Sequence, residues 1–143
     1  MGKINVSADL LAKLKHFADG GDVIASVIQA ITNNEKVLTL TVGAENTGAN
    51  TITITGQVSD LDGTPIKAVT DILITSVPVS GAGTMTVGAS GTIKAGSGTK
   101  SVWMQTNSSG AFGIVVLNAA AEDNLVTFQL DNGQLELVKI TYV

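Results

Sequence analysis

From Lys36 onward the chain repeats its apolar residues with a period of two, a spacing that places them on one face only if the backbone is extended. Leu38, Leu40 and Val42 alternate with Thr39 and Thr41, and Ile52, Ile54 and Val58 alternate with threonine, glycine and glutamine. The same reading predicts strands over Asp71 to Val77, Thr84 to Val87, Gly91 to Ala95, Ser101 to Thr106, Ala111 to Leu117, Leu125 to Leu130 and Gln134 to Val143. Short strands at a spacing of roughly 8–12 residues pack as a sandwich or a barrel. Pro65 and Pro78 stand at strand ends, where a missing N–H costs little.

The punctuation is equally specific. Asp60-Leu61-Asp62-Gly63-Thr64-Pro65 closes the strand through Ile52 to Val58, and Thr106-Asn107-Ser108-Ser109-Gly110-Ala111 opens the strand from Phe112 to Val116. Aspartate, asparagine and glycine at these positions supply side-chain acceptors for the turn and a residue tolerant of positive φ. Asp131-Asn132-Gly133 predicts a hairpin, with Asn-Gly suited to a type I′ turn. The stretch Ser80 to Lys100, rich in Gly, Ala, Ser and Thr, reads as a long hairpin or surface loop.

The first third follows another period. Ser7 suits an N-cap ahead of Ala8 to Ala18, where Leu10, Leu14 and Phe17 share a face. Gly20-Gly21 ends that helix, and Asp22 caps a second with Ile24, Val27, Ile28 and Ile31 at i, i+3, i+4, i+7 spacing. Helices this short gain stability by packing an apolar stripe on something else. These seven residues are therefore the candidate partner-binding set. Residues 1–35 are expected to be an attachment or oligomerisation segment, and residues 36–143 a separate sandwich domain.

A chain of 143 residues suits one such sandwich, and 44% hydrophobic against 14% charged residues supplies a core. The net charge of −4, with all eight basic residues lysine, argues against a nucleic-acid partner, which needs a basic face. No apolar run approaches the roughly 20 residues that span a bilayer, and the start shows no signal-peptide pattern. The expectation is a protein made in a cytoplasm, with no membrane partner.

No catalytic, cofactor or metal residue is expected. One histidine, His16, and no cysteine leave almost no nucleophile–base pair or zinc set. Asp60, Asp62 and Gly63 begin like a calcium loop, but no acid follows at the closing position, and turn chemistry accounts for all three. Gly96 to Lys100 misses the phosphate-loop spacing and leads into a strand rather than a helix. Trp103, the sole tryptophan, reads as a core aromatic, with an interface anchor as the alternative. Aromatic residues at 3% leave little for sugar platforms.

The two hexads, together with the polar turn Ala44 to Asn50 leading into Thr51-Ile52, give the stretch from Lys36 to Val143 a resemblance. It resembles the bacterial and phage immunoglobulin-like domains of the invasin type. Asn107 stands where aspartate is the commoner family residue. The resemblance implies an all-β, immunoglobulin-like sandwich, here with a short helical N-terminal segment. It further implies a non-enzymatic structural protein of a tailed-phage virion, chiefly a capsid decoration protein, with localisation in the particle. The implied partners are the major capsid protein or other virion subunits, with a homo-oligomer and weak glycan binding also compatible. The alternatives are a tail, neck or baseplate component, or a carbohydrate or cell-surface binding module.

Overall fold

A computed structural model describes residues 35–143. Their nine strands form two antiparallel sheets packed face to face. The strands are β1 (Val37–Asn46), β2 (Thr51–Ser59), β3 (Asp71–Pro78), β4 (Thr84–Val87), β5 (Thr92–Ala95), β6 (Ser101–Gln105), β7 (Ala111–Leu117), β8 (Asp123–Leu130) and β9 (Leu135–Thr141). One sheet has the order β1-β2-β7-β4, the other β5-β6-β3-β8-β9. Every strand expected from the alternation is present. The helical segment with Leu10, Leu14, Phe17, Ile24, Val27, Ile28 and Ile31 lies outside the described residues.

The alternation fixes the core. Ile52, Ile54, Val58, Ile114 and Val116 of the four-stranded sheet meet Ile72, Ile74, Val102, Met104 and Val126 of the five-stranded one, all buried. Phe112 and Phe128 bridge the layers with ring centroids 5.9 Å apart. Gly56 makes room for this: a Cβ there would stand 2.2 Å from the Phe112 ring. Beyond β9, Tyr142 crosses back and donates its hydroxyl hydrogen to Val116 O at 2.7 Å. Burial, with the charge of Glu45 adding to it, pushes the phenol up to about 12.

The two hexads fold into the same turn. Asp60 N–H donates to Thr64 O at 2.9 Å and Gly63 N–H to Asp60 O at 3.1 Å; Asn107 N–H donates to Ala111 O at 2.9 Å and Gly110 N–H to Asn107 O at 3.0 Å. In each, the side-chain Oδ1 of the first residue accepts two further N–H groups, from Asp62 and Thr64 or from Ser109 and Ala111. An amide oxygen serves as well as a carboxylate, which explains why Asn107 suits the position. The turns meet at one end of the sandwich, where Val58 N–H donates to Gly110 O at 2.8 Å.

Two expectations need correction. The β8–β9 hairpin forms, but Asn132 is not at positive φ, and Gly133, at φ 82°, is the left-handed residue. Leu130 and Gln134 close a three-residue loop, a length that takes a type I turn followed by a left-handed glycine rather than type I′. Ser80 to Lys100 is also not a surface hairpin: β4 pairs with β7 in one sheet and β5 with β6 in the other, so the segment crosses between layers. Met85 anchors it in the core, bonded through its backbone to Thr99 O and Gly98 N.

Candidate partner-binding face

Odd-numbered residues of β3, β6, β8 and β9 point away from the core. The register then assembles a surface that no single strand predicts. Leu73 lies opposite Trp103 on one side and Gln129 on the other, and Gln129 lies opposite Leu135. Thr127 faces Leu137, and Val77 faces Leu125. Trp103, Leu73, Val77, Leu125, Leu135 and Leu137 are all exposed, Leu135 by 61%. Six large apolar side chains stand together on one sheet face, where single exposed ones would need no explanation.

The rim is polar and ordered. Trp103 Nε1 donates to Asp71 Oδ1 at 3.2 Å, and Gln105 Nε2 donates to the same oxygen at 2.8 Å. The indole is held by its polar edge while 44% of the residue stays open to solvent, the disposition of an interface aromatic. Trp103 is thus not a core residue. Its neighbours carry the signal: Ser101 and Gln105 share its parity, while Val102 and Met104 take the buried one. At the far edge Asp123 binds Lys139 at 2.8 Å and the Thr141 hydroxyl at 2.7 Å, and these contacts hold its carboxyl below the usual range.

Among the described residues no strand pairs with the outer edge of β9. Leu130 N–H donates to Gln134 O and Tyr142 N–H to Glu122 O, so even-numbered residues face β8 along the ladder. The backbone groups of Leu135, Leu137 and Lys139 point outward, at the margin of the apolar face. Unpaired strand edges of this kind can accept a further strand.

The described residues offer little else that resembles a site. Glu122 accepts hydrogen bonds from the Ser80 hydroxyl at 2.7 Å, Gly81 N–H at 2.7 Å and Asn118 Nδ2 at 2.9 Å. The Asn118, Ser80 and Gly81 donors lower its pKa to about 2, and its role is to join the β3–β4 and β7–β8 loops. Asp60 spends its Oδ1 on turn N–H groups, and no three His, Asp or Glu side chains gather among the described residues. On the four-stranded sheet Thr39, Thr41, Thr55, Gln57 and Ser90 rim a shallow concavity of about 280 Å³ without an ionisable group.

No protein-family model matches the chain, and no curated protein matches it. Among solved structures it is similar to a β-glucuronidase from glycoside hydrolase family 2, with TM-score 0.53 and 14% identity over 76% of this chain and 12% of that one. It is also similar to the Yersinia pseudotuberculosis adhesin InvE, with TM-score 0.50 and 14% identity over 75% of this chain and 32% of the adhesin. The fold is an immunoglobulin-like sandwich. The chain spans a small part of each of these two proteins, and identity this low speaks for the fold alone.

Proposed function

We propose that this chain is a non-enzymatic structural protein of a tailed-phage particle, most simply a capsid decoration protein, that makes its protein contact through the outer face of the five-stranded sheet. The observation that carries the contact is the apolar face itself, with Trp103 anchored at one edge and a polar rim around it. Interfaces combine an apolar, aromatic centre with such a rim. The particle enters through the paired turn hexads and their resemblance to invasin-type domains of phage virion proteins. Sedimentation of the purified chain with intact particles tests the reading. It requires a fixed stoichiometry to the major capsid protein and loss of binding in Trp103→Ser with Leu137→Ser; a chain that stays in the supernatant overturns it.

The threonine-rimmed concavity favours a second reading, a carbohydrate or cell-surface binding module, because hydroxyl and amide groups suit an uncharged polar ligand. Glycan binding that is lost in Thr55→Val and kept in Trp103→Ser would select it.

A further inference from the structure

We infer that a second copy of this chain pairs with the outer edge of β9, antiparallel and about a two-fold axis at Val138, so that two five-stranded sheets become one of ten strands. The inference goes beyond the particle reading and does not depend on it.

The four sheet edges are not equally open. The outer edge of β4 is capped by its own chain: Met85 N–H donates to Thr99 O at 2.9 Å, and Gly98 N–H donates to Met85 O at 2.7 Å. β5 has four residues, carries Lys94 and shifts register between Ile93 and Ala95. β1 shifts register between Val42 and Glu45. Capping, shortness, lysine and bulges are the devices that keep an edge from accepting another strand. β9 keeps one register with β8 over its seven residues and contains neither proline nor glycine. Its lysine, Lys139, is already neutralised by Asp123 at 2.8 Å.

The sequence of β9 selects a second β9 as the occupant. With Val138 on the axis, all seven residues overlap, and Leu135, Leu137, Lys139 and Thr141 present their outward N–H and C=O groups to one another. Leu137 then lies opposite Lys139 of the second copy, Leu135 opposite Thr141, and the half-buried Val138 opposite its own counterpart. Sliding each strand one residue further sets Lys139 against Lys139, and sliding two the other way sets Glu136 against Glu136. Like charges directly opposite are unfavourable, so the two charges flanking the axis penalise slippage. The edge is about 23 Å long, on two layers about 10 Å apart. It offers a few hundred Å² per copy, below the ~800 Å² of a standard interface, which makes the dimer weak and reversible. The axis runs perpendicular to the sheet, so both outer faces point the same way. Trp103, three strands in from the edge, stays as exposed as before.

Sedimentation velocity of the full-length chain should show a monomer–dimer equilibrium at high micromolar concentration. Leu137→Lys, opposite Lys139, should weaken the dimer several-fold, whereas Leu137→Glu should keep or tighten it, with the β circular dichroism signal unchanged in both. Native cysteine is absent from the sequence, so single cysteines report the register. Val138→Cys should give a disulfide-linked dimer on oxidation, because Cα atoms of a non-hydrogen-bonded pair stand about 4.5 Å apart. Leu135→Cys, roughly 20 Å from its counterpart, should not. If Val138→Cys does not fold, Leu137→Cys combined with Lys139→Cys, both on the outer face, should form the same covalent dimer. A chain that stays monomeric overturns the inference. So does a dimer indifferent to the charge at position 137, or one that cross-links equally well through Leu135→Cys.

Discussion

The two sheets have equivalent interiors and opposite exteriors. Inside, both present fully buried isoleucine, valine, methionine and one phenylalanine, so neither layer alone defines the core. Outside, β1, β2 and β4 of the four-stranded sheet turn Thr39, Thr41, Thr53, Thr55, Thr84 and Thr86 outward, with Val37, Val115 and Leu117 as apolar residues at the same parity and Val42 and Val87 exposed beside them. The five-stranded sheet turns leucine, valine and tryptophan outward at equivalent parity. Threonine satisfies strand propensity and remains hydrated, whereas a leucine-rich face gains by being covered. In this chain the inward parity specifies the fold, and the outward parity distinguishes one surface from the other.

Truncating the interior should show the sheets to be equal. Phe112→Ala and Phe128→Ala should each cost about 3–5 kcal/mol in urea unfolding. A loss near 1 kcal/mol from either would place the core mostly in the other layer. The twin turns allow a finer comparison between the layers' connections. Asp60→Ala and Asn107→Ala should each cost about 1–2 kcal/mol, since each leaves turn N–H groups without their acceptor. Asn107→Asp should change stability by less than about 0.5 kcal/mol. A large effect there would break the equivalence.

The Glu122 network should show itself in acid. Its carboxyl is depressed from 4.5 to about 2 in the folded chain, so the stabilisation it gives is full above pH 4.5 and disappears as the pH falls through that window. The melting temperature of wild type should exceed that of Glu122→Gln at neutral pH, and the gap should close toward pH 2. A gap independent of pH would mean that the charge contributes nothing. The face should contribute little to stability: Trp103→Ser should cost about 1 kcal/mol or less, because it removes a half-exposed ring and one hydrogen bond. A loss of about 3 kcal/mol would return Trp103 to the core and erase the contrast between the two exteriors.

The strands were legible in the sequence because period two is a local property. Assignment of β4 and β5 to different layers was not, since it depends on which distant strand accepts each one. The β8–β9 turn shows the same limit: Asn-Gly suggested type I′, but the pairing of Leu130 with Gln134 set an odd loop length that overruled it. For the candidate face, the tryptophan's size suggested burial while its parity with Ser101 and Gln105 indicated exposure, and the parity was right. Leu135 and Leu137 share the parity of Lys139 and Thr141, so they too were readable as outward. Their meeting with Leu73 and Trp103 was not, because it needs the register of four strands.

The joined turns at one end of the sandwich also govern how fast the chain reaches this state. Gln57 donates to Ser109 O across 52 residues, beside the Val58–Gly110 bond. Hairpins form within about 1–10 μs, so β1–β2 and β8–β9 can appear early with their own turns. Registering β2 against β7 closes a loop of that length, which is entropically opposed. Folding of the sandwich should therefore proceed on the millisecond-to-second scale of topologies dominated by distant contacts, the docking of the two turns among them.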